Sequence, residues 1–94
     1  MSELLEKDEL DAALKKHPDW EQQGNTLTRA IEFEEFMEGI DFVNDLAEIA
    51  DEAQHHPDML IQYTKVTLTL TTHDAGGITE ADLELARRID NLVD

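Results

Sequence analysis

The chain has no cysteine, which removes disulfide frameworks, thiolate metal sites and cysteine nucleophiles at once. A domain this small without disulfides suits a reducing compartment, so a cytoplasmic location is expected. Cationic side chains are scarce too: seven lysines and arginines stand against 23 aspartates and glutamates, a formal net charge of −16. Nucleic-acid binding draws its affinity from clustered Lys and Arg that displace counterions, and anionic membranes attract the same residues; this composition disfavours both partners. The chain holds a single serine, Ser2, and no G-x-S-x-G elbow, so covalent catalysis through serine is not expected. Gly76-Gly77 is no phosphate loop, because the G-x-x-x-x-G-K pattern is missing. No apolar run approaches the ~20 residues that span a bilayer. The opening residues also lack the basic and apolar blocks of a signal peptide.

What is present fits a single domain over residues 1–94, with 40% hydrophobic residues to build one core. So small a core makes oligomerisation a natural extra source of stability. The acidic residues are spread along the chain rather than gathered in a tail, as on a solvated surface that repels itself. Salt screens such repulsion, so the unfolding midpoint is expected to rise from low to molar salt. A midpoint that stays put would refute that expectation.

Periodicity organises the chain. A first helix runs to Lys16, with Leu10 and Leu14 one turn apart, Asp8 placed to cap it and Pro18 to stop it. Gly24-Asn25 then joins a polar run from Trp20 to an alternating run with Leu27, Ile31 and Phe33 on one face, the pattern of a β-hairpin. A long helix follows, with one stripe through Phe36, Ile40, Val43, Ala47 and Ala50 and a second through Phe42, Leu46, Ile49 and Ala53. That face is wider than one sheet contact requires, which predicts that part of it meets another subunit. After Pro57 a long alternating run puts Leu60, Val66, Leu68 and Leu70 on one side, with a bend or bulge within its length. Asp74 to Gly77 is a turn, Thr79 an N-cap, and Asp82 the third residue of a last helix whose stripe is Leu83, Ala86, Ile89 and Val93. The order α, β-hairpin, α, β, α predicts an α+β domain, an antiparallel sheet with helices on one face.

Three histidines fall at element ends. His55 and His56 stand where the long helix meets Pro57, and His73 ends the strand before the glycine turn. Loops at such rims commonly carry function, and imidazole is the side chain best matched to proton transfer near neutral pH. A polar helix terminus, where histidine favours the negative end of the dipole, accounts for His55-His56 equally well. A shared metal ion is not expected, since neighbours on a helix point ~100° apart. His17, before Pro18, reads as a helix-end residue without a role, and Trp20 as a core aromatic.

The stretch Ala50-Asp51-Glu52-Ala53-Gln54-His55-His56-Pro57, then Tyr63-Thr64-Lys65-Val66, then Thr71-Thr72-His73-Asp74-Ala75-Gly76-Gly77-Ile78-Thr79-Glu80-Ala81-Asp82, resembles the pterin-4a-carbinolamine dehydratase family. Trp20 and Phe33-Glu34-Glu35-Phe36 extend the resemblance upstream, so it covers nearly the whole chain. The resemblance implies a four-stranded antiparallel sheet with three helices packed on one face, and a homodimer or homotetramer. It implies loss of water from 4a-hydroxytetrahydropterin to give quinonoid dihydropterin, the recycling step for tetrahydropterin spent in aromatic hydroxylation. The pterin is substrate, and neither metal nor organic cofactor is implied. By position, His55 and His73 would be the principal acid and base, and His56 would orient the pterin. Asp51 would assist a histidine, although the family often has the longer glutamate there. Gln54, His55, His56, Pro57, Thr71, Thr72, His73 and Asp74 would contact the substrate. Met59 departs from the tryptophan of many animal members. Asp82 is better explained as a helix cap than as a catalytic group. A non-catalytic pterin-binding or protein-interaction module of the same fold is the alternative.

Overall fold

Phe36–Ala53 forms the long helix, α2, with the bounds its apolar repeat predicts. The computed structural model describes residues 3–93; Met1, the lone Ser2 and Asp94 lie outside the described residues, and with them both ends of the 1–94 range. Around α2 the order is α1 (Lys7–Lys16), β1 (Glu21–Gln23), β2 (Thr26–Glu32), β3 (Asp58–Gln62), β4 (Lys65–Leu70), a 3-10 turn (His73–Ala75) and α3 (Glu80–Val93). The strands make one antiparallel sheet in the order β1-β2-β4-β3.

Side-chain alternation shows which face is covered. Leu27, Arg29 and Ile31 on β2 and Val66, Leu68 and Leu70 on β4 are buried, while Ala30 and Glu32 on the opposite face are exposed. The buried face shares one core with Leu10 of α1, Phe42 and Leu46 of α2, and Leu85, Ala86 and Ile89 of α3. Three helices therefore sit on one face of a four-stranded sheet. Each fully buried Leu or Ile there contributes roughly 1.5–3 kcal/mol by leaving water.

Four local expectations change. Glu6, not Asp8, is the N-cap of α1; its backbone N–H donates to Glu9 at 3.1 Å, and Asp8 falls in the first turn, where a carboxylate complements the dipole. The long alternating run is two strands. Tyr63-Thr64 turns the chain, with Tyr63 at φ 53, so Gln62 pairs with Lys65, Ile61 with Val66 and Met59 with Leu68. A two-residue turn switches the core parity from odd to even, and Leu60 consequently points away from the core, 55% exposed. On α2 the buried line is Gly39, Phe42, Leu46 and Ala50, which crosses both predicted stripes, whereas Phe36 and Ala47 of the first and Ala53 of the second are exposed. On α3 Leu85 is buried and Leu83 only half-buried.

Trp20 is a core residue, as its aromatic bulk suggests. His17 is not idle. Its Nδ1 lies 2.8 Å from Asp90 Oδ2, while Asp90 Oδ1 accepts from Trp20 Nε1 at 2.8 Å and from Arg29 Nη1. Arg29 occupies a core position of β2, so its charge requires this partner. The cluster ties α1, β2 and α3 together at one end of the molecule.

Candidate active site

At the other end, α2 stops in a defined way. Gln54 adopts the left-handed conformation, with φ 53 and ψ 40. His55 N–H then bonds to Ala50 O at 3.1 Å and Gln54 N–H to Asp51 O at 3.2 Å, the paired bonds of a Schellman ending. A non-glycine residue pays about 1 kcal/mol or more for that geometry. Gln54 Nε2 offsets part of it by donating to Asp51 O at 2.6 Å. The result throws His55 and His56 off the helix axis towards the end of β4. There the 3-10 turn swings His73 outward, and Gly76, at φ 78, closes it by donating to Thr72 O at 2.9 Å.

These segments enclose a cleft of about 260 Å³, lined by Gln54, His55, His56, Thr71, Thr72, His73 and Asp74. Seven of the residues singled out from the sequence thus meet in one place, from the end of one helix and the end of one strand. Pro57 is buried and does not line it. Asp51 lies outside the lining as well, and reaches the cleft only through His56, whose Nε2 is 3.1 Å from Asp51 Oδ1. Both members of that pair are exposed to solvent.

The histidines differ sharply in how they are held. His73 makes no side-chain hydrogen bond among the described residues and is exposed. His55 is mostly buried, and its Nε2 lies 2.5 Å from Oδ1 of Asp82, a carboxylate with no exposed surface. Asp82 Oδ2 accepts from Thr79 N–H and from Thr72 Oγ1, each at 2.8 Å. Asp82 is therefore the helix cap its position predicts, and also the partner of His55. This second role was not readable from spacing, because the two residues, 27 positions apart, meet only through β3 and β4. A carboxylate that grips one ring nitrogen fixes the imidazole's tautomer and leaves the other nitrogen for chemistry. No group of three or more His, Asp or Glu side chains among the described residues is arranged to hold a metal ion.

A larger groove of about 370 Å³ runs between α1 and α3, lined by residues such as Ala12, Lys16, His17, Leu83 and Arg87. Arg87 there pairs with Glu84 and holds its carboxyl below the usual range by hydrogen bonding. With one histidine, itself bonded to Asp90, it offers no comparable set of proton-transfer groups. Chemistry, not volume, selects the histidine cleft.

Comparison with known proteins identifies the family and the fold. Residues 3–92 match the family model described as pterin 4 alpha carbinolamine dehydratase. A relative from Picosynechococcus sp., carrying the provisional name pterin-4-alpha-carbinolamine dehydratase, is 48% identical over 92 residues, covering 98% of this chain and all of that one. Among solved structures, a transcriptional coactivator/pterin dehydratase from Brucella melitensis superposes with a TM-score of 0.92 at 29% identity, over 97% of this chain and 99% of that one. A pterin dehydratase-like protein identified as a RuBisCO assembly factor in the alpha-carboxysome superposes with a TM-score of 0.67 at 28% identity, over 79% and 88%.

Proposed function

Because the chain belongs to the pterin-4-alpha-carbinolamine dehydratase family, we propose that it catalyses the loss of water from 4a-hydroxytetrahydropterin by histidine acid/base chemistry. The observation that carries this is the cleft itself, in which His55, His56 and His73 converge and His55 is gripped by a buried carboxylate. In the reaction the C4a–O bond breaks as the oxygen takes a proton, the N5 electron pair forms the new C=N bond, and the N5 proton is then lost. The products are water and quinonoid dihydropterin. Hydroxide is a poor leaving group, so a positioned acid matters, and the N5 proton needs a base. Each such group contributes ~10²–10⁴-fold. His55 and His73 divide these roles between them, and His56, steadied by Asp51, orients the ring.

Neither a metal nor an organic cofactor is required, since both steps are proton transfers. Gln54, Thr71 and Asp74 complete the contacts to the pterin, and Thr72 lines the same cleft with its hydroxyl turned to Asp82 and Thr79. The protein is proposed to work in the cytoplasm, and no helix among the described residues is long and apolar enough to cross a membrane. Phe36, Met37, Leu60 and Ile61 remain exposed, which supports assembly as a homodimer or homotetramer. The test follows the ultraviolet spectrum of 4a-hydroxytetrahydropterin as it decays with and without protein. Decay no faster than in buffer would overturn the proposal.

The RuBisCO assembly factor among its structural neighbours favours a second reading, a protein-interaction module that kept the fold. That reading predicts a protein that binds dihydropterin, or none at all, and leaves the dehydration rate unchanged.

A further inference from the structure

Thr72 stands at the rim of the cleft, yet its hydroxyl is engaged away from it. Oγ1 lies 2.8 Å from Asp82 Oδ2 and 2.8 Å from Thr79 Oγ1. A hydroxyl has a single hydrogen, so only one of these contacts is a donation from Thr72. Asp82, as a carboxylate, only accepts. Were Thr72 to donate to Thr79 instead, its lone pair would face Asp82 Oδ2 at hydrogen-bonding distance. The Thr79 hydrogen, fully buried, would also be left without an acceptor. The direction is therefore fixed. Ala81 N–H donates to Thr79 Oγ1 at 3.3 Å, Thr79 donates to Thr72, and Thr72 donates to Asp82.

Every approach to Asp82 is then a donor: Thr72 Oγ1 and Thr79 N–H at Oδ2, and the imidazole at Oδ1. The hydrogen shared with His55 consequently belongs to Nε2. In the neutral ring Nδ1 is left as a bare lone pair. Among the described residues no buried side-chain nitrogen or oxygen lacks a partner, and Nδ1 of His55 has none among them, so it is open to solvent. Taking the cleft as the dehydratase site proposed above, we infer that Thr72 is a positioning residue. Its hydroxyl orients Asp82 so that His55 presents Nδ1, free of its proton, to the substrate.

Two features set this apart from an ordinary strand-end hydrogen bond. Among the described residues the hydroxyl is the only side-chain donor on Oδ2, so without it that oxygen is held by a single backbone N–H. Thr71, its neighbour in the same cleft, spends its hydroxyl on Asn25 O at 2.8 Å and touches no group of the histidine relay.

The experiment combines ¹⁵N spectra of the imidazoles in the free, full-length protein with steady-state dehydration kinetics. Wild-type His55 is expected as the Nε2–H tautomer. Thr72→Val should give a tautomer mixture and lower kcat by roughly 10- to 100-fold, the loss of one hydrogen bond to a charged group. KM should change by less than about threefold, because the hydroxyl does not touch substrate. Thr72→Ser should restore both the spectrum and kcat. A wild-type His55 in the Nδ1–H form overturns the inference. So does a Thr72→Val protein with unchanged tautomer, whether kcat is normal or KM alone has risen. If Thr72→Val does not fold, Thr72→Ser decides: an Nε2–H spectrum with near-normal kcat supports the inference, and loss of either overturns it. A wild-type protein with the Nε2–H spectrum but no dehydratase activity refutes the dehydratase reading, while the proton arrangement stands supported.

Discussion

Helix α3 carries two aspartates that each hold a histidine from the end of an earlier helix, and the two pairs do different things. Asp90, in its last turn, takes His17 from the end of α1; Asp82, in its first turn, takes His55 from the end of α2. Around Asp90 the remaining donors are the Arg29 guanidinium and the Trp20 indole, so charge meets charge in a closed cluster. Around Asp82 they are a hydroxyl and a backbone N–H, both neutral. Beyond His55 stand two further histidines in an open cleft; beyond His17 there are none. A His–Asp pair is thus not a function in itself. What completes the carboxylate, and what lies on the far side of the ring, decides between a clamp and a proton-transfer site.

The comparison breaks most visibly at the rings. His55→Ala and His73→Ala are each expected to lower the dehydration rate by about 10²–10⁴-fold. His17→Ala should leave the rate of the folded protein alone, and an equal loss there would erase the distinction. The carboxylates come next. Asp82→Asn should cost roughly 10²-fold in rate, because an amide no longer enforces the tautomer of His55. Asp90→Ala should instead act on stability. It leaves the buried Arg29 charge only the exposed carboxylate of Asp19, 3.5 Å away, at about 3 kcal/mol, a fall in the thermal midpoint of roughly 12 °C or more. Activity per folded molecule at low temperature would be normal. The smallest effect belongs to Asp51→Asn, since the Asp51–His56 pair is exposed and screened. A rate change beyond about threefold would show that Asp51 does more than steady His56.

How much of this the sequence disclosed depended on the range of the interaction. The bounds of α2 were readable to the residue, because a 3.6-residue repeat is a local property. The hairpin of β3 and β4 was not, because its turn is Tyr63-Thr64, without the glycine, asparagine or proline that ordinarily marks one. Taking the two strands as one displaced Leu60 to the wrong face; only the family resemblance implied the fourth strand. For the site, the histidines and their neighbours were legible as a motif. The grip of Asp82 on His55 was not, nor the burial of Arg29 against Asp90 across 61 positions, because neither exists until the sheet has closed.

Asp82 serves two masters with the same oxygens, starting α3 through Thr79 N–H and holding His55. Stability and activity usually trade against each other at an active site; here they are harnessed together. A descendant of this chain that abandoned the reaction would still need the aspartate in order to fold. His73, by contrast, is exposed and bonded to no side chain, so nothing but chemistry would restrain its drift. In a protein of this architecture, the residue that reports whether the reaction is still being run is the one that contributes least to the fold.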